Sequence, residues 1–183
     1  MAGEEAAPLV LTLGLDAATQ AWLEALRQRH FPPDRNRVPA HVTLFHALPG
    51  GAAAEIWATL ADEAAALPPA PVTVGPPRLL GRGVALAIAS PTIAALRARL
   101  GAAWQGWLTA QDRQPWRPHA TVQNKVAPEA ARALHRQLTV ETAVRSARAA
   151  ALLLWHYRGP RAGGESDWEA AARLPFGAKE RGH

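Results

Sequence analysis

"PAHVTLFHALPG", residues 39–50, carries the pattern on which the fold turns. Polar and apolar residues alternate over His41–Leu44, the run stays largely apolar and β-prone to Leu48, and Pro49-Gly50 stops it, so 41–48 reads as a β-strand. Successive strand side chains take opposite faces, which puts His41, Thr43 and Phe45 on one face and Val42, Leu44 and His46 on the other. A second stretch, "RPHATVQNKV" at 117–126, does the same with His119, Thr121 and Gln123 on a strand over 118–124, and Lys125 joins that face if the strand extends to it. Each follows a basic, proline-bearing loop, "DRNRVPA" and "DRQPWRP", and each loop follows a helix. A lone His-x-Thr is most often an ordinary strand histidine. Two copies in matching surroundings favour a functional pair.

Working outward, "PLVLTLGL" (8–15) is a buried-strand type of run, and Asp16 is an N-cap for a helix that Pro32-Pro33 ends. Residues 51–67 read as a second helix, and "PVTVGPPRLLGRGVALAIAS" as two short strands about a turn at Gly81-Arg82-Gly83. Ser90-Pro91 opens a third helix, expected to run to about 110. After the second His/Thr strand come a helix "APEAARALHRQL", a long strand "SARAAALLLWHYRG", a turn "PRAGGES" and a closing strand "DWEAAARLPF". Hairpins and Pro-Gly turns interrupt the alternation, so α+β with mainly antiparallel pairing is favoured over a doubly wound parallel sheet. Trp22, Trp57, Trp104 and Trp107 sit at helical spacing and read as core, whereas Trp116 in the basic loop is placed to stack on a base.

The chain has 183 residues, 49% of them apolar, enough for one well-cored domain or two intimate lobes. The acidic start and short apolar run of "MAGEEAAPLVLTLGLD" fit neither a signal peptide nor a membrane span. Zero cysteines exclude disulfides, thiolate nucleophiles and Cys-ligated zinc. A soluble, cytoplasmic protein without membrane contact, monomeric and without a cofactor, is expected. The pI of 10.9 overstates basicity, because net charge is only +5 and nearly all the basic residues are arginine. What matters more is local: Arg35, Arg37, Arg113 and Arg117 flank the two His/Thr segments and can steer an anion.

Displacement at phosphorus gives the pair a reason. Entering and leaving oxygens lie on opposite sides, so a base is needed at one apex and an acid at the other. Two strands from facing lobes can each supply a histidine, and the threonine hydroxyls can donate to the non-bridging oxygens. A metal site from His41, His46 and His119 fails on direction, since His41 and His46 should point to opposite faces, and no carboxylate is expected near either motif. A serine nucleophile is not supported, because there is no Gly-x-Ser-x-Gly elbow.

"HVTLFHALPG" and "PHATVQNKV" resemble the two signature motifs of the two-histidine (2H) phosphoesterase superfamily, in particular its 2'-5' RNA ligase-like and RNA 2',3'-cyclic phosphodiesterase branch. The resemblance spans most of the chain. It implies a single two-lobed domain over residues 1–183, a bilobal, pseudo-twofold α+β fold with two mainly antiparallel sheets around a central cleft and helices outside. It implies His41 and His119 as the acid/base pair and Thr43 and Thr121 as phosphate donors. The implied activity is metal-independent hydrolysis of a cyclic phosphate on a small nucleotide or RNA terminus. The alternatives are a nucleotide- or RNA-binding protein without turnover, or a 2'-5' ligase or phosphodiesterase on another linkage. Arg35, Arg37, Trp116, Gln123 and Lys125 are the candidate substrate contacts. Relatives often have an aromatic residue where this chain has His46; by alternation His46 faces away from the cleft and reads as structural. His30, His135 and His183 read as helix or tail residues without partners.

Overall fold

The structure is a computed structural model that describes residues 6–177. Eleven regular elements follow the expected order: β1 (Leu9–Leu15), α1 (Ala17–His30), β2 (Thr43–Leu48), α2 (Ala53–Ala66), β3 (Ala70–Leu79), β4 (Val84–Ala89), α3 (Pro91–Ala103), β5 (His119–Gln123), α4 (Pro128–Glu141), β6 (Arg145–Tyr157) and β7 (Trp168–Pro175). Capping sets the helix starts. Asp16 accepts from the Thr19 amide at 2.9 Å, and its second oxygen accepts from the Arg148 amide at 2.9 Å, tying the start of α1 to β6. Ser90 caps α3 ahead of Pro91.

The strands form an antiparallel sheet in the order β2-β1-β6-β3-β4-β5. The 13-residue β6 is the hinge of this layout. Its first residues, Arg145–Ala149, pair with β3, while Ala151–Tyr157 pair with β7 on the same edge, and β1 runs along its other edge. The two sheets expected of the two halves are therefore continuous through β6. The sheet curls so far that its two ends meet: Val42, just before β2, forms an antiparallel bridge with Ala120 of β5. β1 is central, and all seven of its residues are buried, each leucine side chain contributing about 1.5–3 kcal/mol by leaving water.

Differences from the sequence reading are local. α3 ends at Ala103 and gives way to a single 3₁₀ turn at Gln105–Trp107. Trp57 is 51% exposed instead of buried, because the inward stripe of α2 is Ile56, Leu60 and Ala64 and Trp57 lies one position off it. His135 has a partner, the Pro77 carbonyl at 3.3 Å. The His183 reading lies outside the described residues. Among these, no helix is long and apolar enough to cross a membrane.

Candidate active site

The Val42–Ala120 bridge organises the site. In an antiparallel pair, the neighbours of a bridged pair face each other crosswise, so His41 lies opposite Thr121 and Thr43 opposite His119. Val42 and Ala120 point into the core and are fully buried, which turns all four functional side chains to the other, concave face. All four line one open cleft of about 510 Å3.

The two imidazoles are held alike. His41 Nδ1 lies 2.7 Å from the Pro39 carbonyl and His119 Nδ1 lies 2.8 Å from the Arg117 carbonyl, each two residues back along its own chain. A carbonyl only accepts, so Nδ1 carries the proton in both rings and Nε2 is left for the cleft. Side-chain donors fix the strands behind them: the buried Arg27 donates to the Thr121 carbonyl at 3.0 Å and the half-buried Trp116 indole to the Thr43 carbonyl at 3.0 Å. Burial pushes His41 down to about 4 against the Pro39 hydrogen bond, and the charges of Arg27, His119 and His46 add to the lowering. Trp168 packs on the His41 ring, centroids 4.5 Å apart. Burial likewise lowers Arg27 to about 10, with Glu24 opposing.

The predicted substrate contacts divide. Trp116 lines the cleft, but its indole N–H is committed to Thr43. Arg35 is exposed off the cleft and pairs with Asp34 at 3.5 Å. Arg37 also lies off the cleft lining; it pairs with Asp167 at 2.9 Å and donates to the Arg161 and Glu165 carbonyls. Gln123 is 8% exposed and absent from the lining. The reason is a bulge: Val84 pairs with Gln123 but Ala85 with Thr121, and the extra residue breaks the alternation after Thr121. Lys125 sits beyond the strand end, exposed, in a turn with φ of 62°.

His46 is the main correction. It lines the cleft instead of facing away. β2 pairs with β1 through two register shifts, Leu9–Leu48 to Leu11–Phe45 and on to Thr12–Thr43, so two consecutive residues, Leu44 and Phe45, are both buried and His46 returns to the concave side. Phe45 accordingly leaves the His41 face. The directional argument against a shared His41–His46 site falls with the alternation, and a carboxylate does stand nearby: Asp112 accepts from His46 Nδ1 at 2.9 Å and from the His46 and Ala47 amides at 2.9 and 3.1 Å. Desolvation raises the Asp112 carboxyl, but these hydrogen bonds outweigh it and leave it below its ordinary value.

Further lining residues that the sequence reading does not single out are Arg78, Arg97, Asp112 and Trp168. On the long strand, alternation puts Trp155 and Tyr157 on one face and His156 on the other and leaves open which lines the cleft; Tyr157 does. Nothing in the sequence placed β7, and with it Trp168, against His41.

Comparison with known proteins is consistent with this geometry. The family described as the 2'-5' RNA ligase superfamily matches residues 15–161. TT0787 of Thermus thermophilus is similar in structure, with a TM-score of 0.62 at 15% identity over 93% of this chain and 98% of that one. E. coli LigT is similar in its complexes with 3'-AMP (TM-score 0.60, 20% identity) and with NADP+ (0.59, 19%), each over 94% of this chain and 99% of that one. No curated protein matches the chain.

Proposed function

Since the chain belongs to the 2'-5' RNA ligase superfamily, we propose that it is a phosphodiesterase that opens 2',3'-cyclic phosphates of nucleotides or RNA ends to 2'-phosphates. The observation that carries this reading is the crosswise square set by the Val42–Ala120 bridge, His41 opposite Thr121 and Thr43 opposite His119. A phosphate seated over the bridge has an imidazole on either side and a hydroxyl beside each imidazole.

In the proposed step a water oxygen bonds to phosphorus as the P–O3' bond breaks. His41 Nε2 takes the proton from the water, and His119 delivers a proton to the departing O3'. His41 is assigned the base because burial keeps it neutral at pH 7. The threonine hydroxyls donate to the non-bridging oxygens, where the transition-state charge lies. The products are a 2'-phosphate and a free 3'-hydroxyl, and the histidines end with their protons exchanged. No step calls for a metal or a cofactor. The similar E. coli LigT has been crystallised with nucleotides and phosphate, which suits a nucleotide ligand here. With a 5'-hydroxyl in place of water as the nucleophile, the same step forms a 2'-5' phosphodiester as the P–O3' bond breaks and O3' takes the proton from His119, the ligase outcome. The setting we infer is the cytoplasm, on soluble nucleotide or RNA ends.

The test is turnover of a 2',3'-cyclic nucleotide by the chain and by His41→Ala and His119→Ala. Each variant is expected to lose at least ~100-fold in kcat while 2'-nucleotide binding is largely kept, and chelators should leave the rate unchanged. A rate indifferent to both substitutions leaves a binding protein without turnover.

A further inference from the structure

The proposed reaction leaves a third cleft imidazole unused. The β2 bulges bring His46 to the cleft wall, and Asp112, only 2% exposed, accepts its Nδ1–H. A carboxylate of this kind only accepts, so Nε2 is the nitrogen available to a ligand. Arg97 braces the arrangement. It donates to the Leu44 carbonyl at 2.9 Å and to the Asp112 carbonyl at 2.7 Å, and its guanidinium lies 4.0 Å above the Phe45 ring. Such layered support is what fixes a ligand-contacting group in place.

Charge points to the ligand. A cyclic phosphodiester carries one negative charge, and two histidines and two threonines already meet it. Yet the lining also holds Arg78, Arg97 and Arg117, against Asp112 as its one carboxylate among the described residues. Arg117 lies two residues before His119 and His46 three residues beyond Thr43. On antiparallel neighbours these fall at the same end of the cleft. Counted from the bridge, over which the first phosphate sits, the offset along the strands is at most about 13 Å for His46 and about 10 Å for Arg117, and their side chains reach back over the part of it that one nucleoside with a phosphate at each end does not span.

We propose that His46, positioned by Asp112, binds with Arg117 a second phosphate of the substrate, the one on the 5' side of the nucleoside whose cyclic phosphate is opened. This rests on the reading above and narrows its substrate class to terminal nucleotides that carry a 5'-phosphate group, as an RNA end does through its preceding linkage. A bare nucleoside cyclic phosphate fills only half the site.

The test is calorimetric titration with adenosine 2'-monophosphate, adenosine 2',5'-bisphosphate and a dinucleotide ending in a 2'-phosphate. The protein is expected to bind both 5'-phosphorylated ligands at least ~10-fold more tightly than the monophosphate, about 1.4 kcal/mol. His46→Phe, chosen because an aromatic ring fills the position, should bring that ratio within about twofold, and Asp112→Asn should lower it. His46→Gln covers the case in which His46→Phe does not fold. A ratio near one in the unaltered protein, or one that survives in the folded His46 variant, overturns the proposal. Because no turnover is needed, failure of the proposed hydrolysis would be seen separately, as binding with this preference but without ring opening.

Discussion

His41 is half-buried with Trp168 against its ring, and titrates near 4 because burial disfavours the imidazolium. Two measurements follow from that value. The pH dependence of kcat/KM reports the free enzyme, so its acidic limb is expected near pH 4, well below the ordinary histidine value of about 6.5. A limb near 6.5 would remove His41 from the base role. Stability changes in the same window with a definite sign. Between about pH 4 and 6.5 the unfolded chain binds a proton at residue 41 that the folded chain does not, so folding stability rises with pH there and is lost as pH falls. Urea unfolding should show a loss on the order of 2 kcal/mol across the window, and His41→Phe should flatten it.

At the scale of elements, the site depends on where strands depart from regularity. Gly83 opens β4 against β5, and a Cβ there would meet the Gln123 carbonyl oxygen at 2.0 Å and the Asn124 Cα at 2.6 Å. Both are backbone atoms that cannot turn aside. Gly83→Ala is therefore expected to push β5 off β4, costing at least ~2 kcal/mol in chemical unfolding and lowering kcat, since β5 carries His119 and Thr121. Arg97 plays the matching part for β2. Arg97→Lys should cost about 1–3 kcal/mol, because one ammonium cannot hold the Leu44 and Asp112 carbonyls and cover the Phe45 ring together. The same irregularities mark how far the sequence could be read. Period-two alternation identified β2 and β5 and gave His41, Thr43, His119 and Thr121 a common face. It failed at Phe45, His46 and Gln123, because each lies past a bulge and a bulge is set by the neighbouring strand's register; the consecutive apolar pair Leu44-Phe45 is its one trace in β2. Trp57 failed for a related reason: helical spacing defines a stripe but not its edge.

At the scale of the whole molecule, β6 makes one sheet of two halves, and two arginines that do not line the cleft act across the fold. Arg27, only 3% exposed, reaches from α1 to the Thr121 carbonyl of β5. Arg37 reaches from the loop before β2 to the segment between β6 and β7, pairing with Asp167 and holding the Arg161 and Glu165 carbonyls, while the Asp167 amide donates back to the Arg37 carbonyl. The residue after Asp167 is Trp168, which packs on His41. From sequence Arg37 resembles a phosphate contact, because a basic loop beside a catalytic strand is where such a contact belongs. In the fold its guanidinium is spent on closing the ring of contacts that seats Trp168. A double-mutant cycle separates the two roles. If Arg37 acts through Asp167, then Arg37→Ala and Asp167→Ala should each lower kcat/KM by a similar factor, about tenfold, and the double variant should be no worse than either, with a coupling near 1.4 kcal/mol. If Arg37 instead meets the substrate, Asp167→Ala leaves its charge free to do so, and adding Arg37→Ala must cost a further full step, which would return Arg37 to the binding surface.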